Sequence, residues 1–188
     1  ALEVLKNGGN VLLLADGKIS YGKSIVQQMT PIFWNTSWFK MRPPHTTGIL
    51  VNPYHRIFDR FPTDIHPDLQ WRELVNRAQV MLLTEFPEGF QPVIQSIDTW
   101  FLNRKIGMLI EANVGGGKLV MTTADLRTDL GNRVVARQLL ESVLHYMNSD
   151  YFRPAYEVDI ARVQELFTKE DPPLDTFTKS NPSELIPR

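Results

Sequence analysis

The residues with which this chain could do chemistry are carboxylates, histidines and one serine. Six acids, Asp16, Asp64, Glu85, Asp98, Glu111 and Asp125, lie mostly at the ends of apolar runs. Two carboxylates facing each other across a sugar, at about 5 to 10 Å, would cleave a glycosidic bond. No pair stands out among the six, and acids at strand ends commonly cap turns and helices. His55 and His66 flank a loop that contains Asp59 and Asp64, the parts of a loop-borne hydrolytic site. The four histidines, His45, His55, His66 and His145, show neither the i, i+4 pairing nor the tight clustering of metal sites. Ser24, within Gly22-Lys23-Ser24-Ile25-Val26, stands where a nucleophile elbow would sit, but Val26 replaces the second glycine of that motif. Gly115-Gly116-Gly117-Lys118 has the look of a phosphate loop. The first glycine of that motif would fall at Ala112 and its hydroxyl at Leu119, so the stretch reads as a hairpin turn.

Composition removes whole classes of function. The 188 residues contain no cysteine, which excludes thiolate nucleophiles, Cys-ligated zinc and iron–sulfur clusters. Twenty Lys and Arg balance 21 Asp and Glu for a net charge of −1, so there is no electrostatic footprint for nucleic acid. No run of about 18 uncharged apolar residues exists to span a bilayer. No cofactor or metal site is assigned. The aromatic string Phe33-Trp34-Asn35-Thr36-Ser37-Trp38-Phe39, with Trp71 and Trp100, offers flat faces for sugar stacking or for packing against another surface. Asn35-Thr36-Ser37 also matches the glycosylation sequon.

The elements that must position these groups read as an α/β pattern. Leu2, Val4 and Leu5 run into Gly8-Gly9 as a helix end with a glycine cap, and Val11 to Ala15 then form a strand buried on both faces. That order implies a strand before the helix. Lys23 onward predicts a short helix followed by an aromatic loop. Further strands are expected at Thr47–Val51, Gln79–Thr84 and Pro92–Ile97, and a hairpin from Ile106–Asn113 and Lys118–Thr123. Leu69–Ala78 predicts a short helix. Val135, Leu139, Val143 and Met147 recur every four residues and mark the most secure helix; Tyr156–Phe167 predicts a weaker one. Beyond Lys169 four prolines and few large apolar residues predict an extended tail.

Several ordered strings carry a resemblance. Gly48-Ile49-Leu50-Val51-Asn52-Pro53-Tyr54-His55, Phe61-Pro62-Thr63-Asp64, Asp68-Leu69-Gln70-Trp71, Pro92 to Trp100, Asn103-Arg104-Lys105, and Gly115 to Val120 ending in Asp125-Leu126 resemble the C-terminal domain of bacterial β-galactosidase-like enzymes of glycoside hydrolase family 2. The resemblance spans roughly Asn10 to Asn148. It implies a three-layer, flavodoxin-like fold related to class I glutamine amidotransferases, with a mixed, mainly parallel sheet, whose cysteine nucleophile this chain lacks. It supplies no catalytic residues, because the parent family's two glutamates belong to a barrel domain not included here. Arg72 stands where that family often has a second aromatic after Trp71.

The expectation is therefore an N-terminally incomplete amidotransferase-like domain over residues 1–150, with a C-terminal helix and tail over 151–188. Its expected role is that of a non-catalytic accessory domain of a periplasmic or secreted glycosidase, mediating interdomain or oligomer contacts. Trp34, Trp38 and Trp71 are the candidate contact or sugar-stacking residues. Two other readings stay open: an ancillary carbohydrate-binding module, and an independent hydrolase using Ser24 or the His55, Asp64 and His66 loop.

Overall fold

The computed structural model describes residues 1–29, 46–99 and 102–173. Trp34, Trp38, Trp100, His45, the Asn35 sequon and the tail from 174 onward lie outside the described residues. The chain order is α1 (Leu2–Lys6), β1 (Asn10–Leu14), β2 (Gly48–Val51), a 3₁₀ turn (Arg56–Phe58), α2 (Leu69–Asn76), β3 (Met81–Leu82), β4 (Ile94–Ile97), β5 (Ile106–Val114), β6 (Gly117–Thr122), α3 (Val134–Met147) and α4 (Ile160–Thr168). The result is an α/β fold on one mixed, six-stranded sheet of order β1-β6-β5-β4-β2, with β3 joined to β5.

The expected parallel majority is corrected. Only β1 and β6 pair in parallel among the named strands, while β2/β4, β3/β5, β4/β5 and β5/β6 are antiparallel. Uninterrupted apolar runs suggested parallel strands, but such runs report burial on both faces and not direction. β5 is antiparallel to all three strand neighbours and still buried along almost its whole length.

Two apolar clusters divide at the sheet. One gathers Leu5 of α1, Val163 and Leu166 of α4, and Leu119 and Met121 of β6. The other gathers Trp71 and Leu74 of α2, Leu139 and Val143 of α3, and Val120 of β6. The alternation Leu119, Val120, Met121 between clusters is the two-residue period of a strand with both faces covered. The segment after residue 150 returns to this body: the Asn113 and Val158 N–H groups donate to the Tyr156 and Asn113 carbonyls at 2.8 and 2.9 Å, which ties it to the end of β5.

A shift of register in β5 decides which face its polar residue takes. Ile94 pairs with Leu109 and Gln95 with Gly107, leaving Met108 as the extra residue of a bulge. The Met108 carbonyl accepts from the Thr123 N–H at 3.0 Å and the Thr122 hydroxyl at 3.1 Å. Met108 and its neighbour Leu109 thereby enter the same cluster, Ile110 and Ala112 enter the other, and Glu111 faces α3.

The expected short helix after Lys23 is not formed within its described part. Tyr21–Ser24 is a turn, and Ile25 N–H donates to the Gly22 carbonyl at 3.0 Å. Gly22 has φ +119° and lies so close to the β3 backbone that a Cβ would meet the Val80 carbonyl oxygen at 2.2 Å. The hairpin expectation holds: Val114 pairs with Gly117 across Gly115 and Gly116, at φ +62° and +95°.

Gly117 itself sits under α1. An added Cβ would lie 2.4 Å from the Gly9 carbonyl oxygen and 2.8 Å from the Leu5 Cα, backbone atoms that cannot swing aside. Gly117→Ala is expected to cost about 1–3 kcal/mol through overpacking. Gly131→Ala, which meets nothing within 4 Å, should be neutral or slightly stabilising. Urea denaturation of the two variants checks the difference; equal midpoints would refute the close-packing account.

Candidate functional site

Glu111 is the one charged residue of β5 and is buried there, 8% exposed. Three elements converge on it. β5 supplies the carboxylate on the face that the bulge selects. From α3, the Tyr146 hydroxyl donates to Glu111 Oε2 at 2.7 Å. From the start of the 3₁₀ turn, His55 Nε2 lies 3.4 Å from Glu111 Oε1. His55 Nδ1 accepts the Ile57 N–H at 3.2 Å, which fixes the ring with its Nε2 edge toward the carboxylate.

Local sequence explains why these groups meet. Ser142 and Tyr146 stand one helical turn apart on the buried stripe of α3. The Ser142 hydroxyl donates to the Ile57 carbonyl at 2.6 Å and accepts the Arg60 N–H at 3.0 Å, clasping the 3₁₀ turn to the helix. The same clasp brings the His55 ring edge-on to Tyr146, centroids 5.4 Å apart. Burial first, and the Glu111 carboxylate second, push the Tyr146 phenol well above its ordinary pKa.

Glu111 and His55, but not Tyr146, line a cavity of about 530 Å³, walled by the end of β2 and its Asn52–His55 extension, by Gln91 to Val93 and Gln95, and by Ala155 and Tyr156. Its position follows from the pairing of β5. One edge of β5 is joined to β4 through Leu109 and is taken up again at Asn113 by the 156–158 segment. Glu111 lies in the interval between these two partners.

The other sequence candidates take separate places. Asp16 accepts a forked pair of bonds from Arg127, at 3.2 and 2.9 Å. Glu85 meets Lys169 at 2.7 Å. Asp98 is gripped by Arg104 through Nε at 2.7 Å and Nη2 at 2.9 Å and also accepts the Thr99 and Arg104 backbone N–H groups. Asp125 binds Arg133 Nη1 at 2.8 Å, and Arg133 also reaches Glu73 of α2. Asp64 and His66 are exposed; the structure joins His55 to Glu111 and Tyr146 instead of to that loop. Ser24 is an exposed turn residue whose N–H donates to Asp171 Oδ2 at 2.6 Å, beside the Gly22 N–H on Oδ1. Lys118 is spent on the Phe152 carbonyl at 2.7 Å, as a hairpin lysine and not a phosphate ligand. No group of three or more His, Asp or Glu side chains among the described residues is arranged to hold a metal ion.

Trp71 is a correction. It is fully buried against Phe58 and Phe61, with its indole N–H donated to the Thr63 hydroxyl at 2.8 Å, so it presents no face to a sugar or a partner. The indole needs both an apolar slot and an acceptor, and the Phe61-Pro62-Thr63 turn provides them.

The DUF8487 family, described as a domain of unknown function, matches residues 1–168. The chain belongs to that family. The match runs past the hairpin and α3 to the last turn of α4, so it takes in every element of the site just described. No curated protein matches the chain.

Two titrations test the geometry. An unfolded tyrosine ionises near pH 10, and the folded Tyr146 does so higher, so its contribution to stability is present below about pH 10 and is lost as pH rises above it. The Tyr146 phenolate absorbance at 295 nm should appear only as the protein unfolds, and Tyr146→Phe should remove that part of the late step while costing about 1–3 kcal/mol. A difference between wild type and Tyr146→Phe that appears while the protein is still folded would refute the assignment. At the acid end, partial burial raises the Asp125 carboxyl, but the backbone N–H groups of Thr128 and Arg127, the Thr128 side chain and the Arg133 charge outweigh it and hold the group below its usual range. Its stabilisation is present above about pH 3.9, the unfolded value, and is lost as pH falls through the folded one. Asp125→Asn should flatten the acid limb of a stability-versus-pH curve; an unchanged limb would count against this clamp.

Proposed function

We propose that this chain is a non-catalytic accessory domain of a carbohydrate-degrading enzyme resembling the β-galactosidases of glycoside hydrolase family 2. The observation that supports the reading is the use the fold makes of the strings that carry the resemblance. Trp71 fills the core beneath Phe61 and Thr63. Asp98 and Arg104 close the turn before β5, and Asp125 receives Arg133 from the start of α3. His55 begins the 3₁₀ turn. These residues secure a scaffold.

The finer fold assignment belongs to the same proposal. Helices α1 and α4 contribute to one apolar cluster and α2 and α3 to the other, with a parallel β1/β6 pair between them, which fits a layered flavodoxin-like body related to class I glutamine amidotransferases. Such a relative without cysteine keeps the shape and not the reaction. On this reading hydrolysis belongs to a barrel elsewhere in a secreted or periplasmic parent, and Trp34 and Trp38 are assigned, from sequence, to contacts with its other domains or a second copy.

Sequencing the coding DNA upstream of Ala1 should reveal a glycosidase barrel with its two catalytic glutamates. The isolated 188-residue chain should release no product from aryl glycosides or esters, and Trp38→Ala should weaken its association with the parent's remaining domains. An upstream frame without such a barrel, or turnover abolished by Ser24→Ala or Glu111→Gln, would overturn the proposal.

A further inference from the structure

The cavity over Glu111 has no part in the accessory reading and is argued from its own chemistry. We propose that it is a binding site for a neutral polyhydroxylated ligand, the pyranose end of a saccharide. Its volume, about 530 Å³, lies within the roughly 300–1,000 Å³ of small-molecule sites.

The lining selects the ligand class by elimination. No lysine or arginine lines the cavity among the described residues, and the Glu111 carboxylate does, so phosphate and carboxylate ligands would meet a like charge with no guanidinium or ammonium to hold them. A wholly apolar ligand would strip water from Glu111 without replacing it. A carboxylate accepts about four hydrogen bonds; here the Tyr146 hydroxyl supplies one short bond and His55 a longer approach of 3.4 Å. Capacity remains for donors arriving from the cavity.

A small cation would satisfy the floor but not the walls. Asn52, Gln91 and Gln95 also line the cavity; the Asn52 side-chain carbonyl already accepts the Tyr54 N–H at 3.1 Å, and carboxamides carry NH₂ donors that an ammonium cannot use beside carbonyls that it can. Hydroxyl groups use both. Tyr54, 86% exposed, and the half-buried Tyr156 add aromatic surface beside Pro53 and Pro92, suited to the flat C–H face of a sugar ring.

The test uses the isolated 188-residue chain, so it is independent of whether a glycosidase parent exists. Backbone amide resonances would be followed while methyl β-galactopyranoside, methyl β-glucopyranoside and cellobiose are added separately, up to about 50 mM, enough to fill a millimolar site. Tetramethylammonium and inorganic phosphate serve as the charged probes. At least one saccharide should shift Asn52, Tyr54 and Gln95 saturably. Tyr54→Ala, a change at an exposed position that leaves the core intact, should weaken that binding about tenfold or more, and Gln95→Ala should weaken it as well. Silence toward all three saccharides, saturable shifts with tetramethylammonium or phosphate alone, or binding untouched by both substitutions would overturn the proposal.

Discussion

The structure turns on β5, a nine-residue strand whose burial on both faces leaves no solvent to satisfy a misplaced polar group. Everything around it answers to that constraint. β6 covers one edge, β4 and the 156–158 segment share the other, and β3 is fastened to its first residues. A strand so enclosed can carry a carboxylate only where partners reach it, and the bulge at Met108 turns Glu111 toward the one helix that presents a phenol. A register without the extra residue would exchange the faces of the residues beyond it, placing Glu111 among Leu5, Val163 and Leu166 of the opposite cluster, where no donor among those residues could meet it.

The sequence showed the strands and the long helix because their signals are local. Val11–Leu14, Gly48–Val51 and the two arms of the hairpin are short apolar runs bounded by turn residues, and the four-residue stripe of α3 matches its buried face. Where packing against a distant segment decides, local signals failed. Val80–Leu83 is buried, yet only Met81 and Leu82 form a strand; the Leu83 N–H carries their register one step further to the Lys105 carbonyl, and the chain then turns back as the Phe86 N–H donates to the Leu83 carbonyl. Within the described residues 23–29 the apolar pattern suggested a helix, whereas Gly22 presses its turn onto the backbone of Val80.

The site was the least legible part, for the same reason. Glu111 and Tyr146 are 35 positions apart, and His55 lies in another loop altogether. Grouping His55 with Asp64 and His66 followed chain proximity, but the 3₁₀ turn and its clasp by Ser142 direct the imidazole toward the sheet while Asp64 and His66 face solvent. One local signal did point inward: a single charged residue, Glu111, inside a largely apolar strand, since charged residues are almost never buried without a partner. Trp71 shows the converse. Its type suggested a surface for sugars, and its surroundings made it the largest side chain of the core.

The way each acid is satisfied separates Glu111 from the rest. Asp16, Glu85, Asp98 and Asp125 each meet an arginine or a lysine, so their charge is cancelled where it arises. Glu111 instead accepts from a phenol whose ionisation is suppressed, with the His55 imidazole 3.4 Å from its other oxygen and no arginine or lysine among the described residues paired with it. Burying a carboxylate with neutral donors alone stabilises less than pairing it with a guanidinium fork, and this chain builds such forks at Asp16 and Asp98. A purely structural role for Glu111 would be served by the same solution, or by an apolar residue in its place. A carboxylate on a cavity wall with no arginine or lysine among the described residues bound to it keeps hydrogen-bonding capacity toward that space, and hydroxyl donors arriving there would complete the shell that the protein leaves partly open.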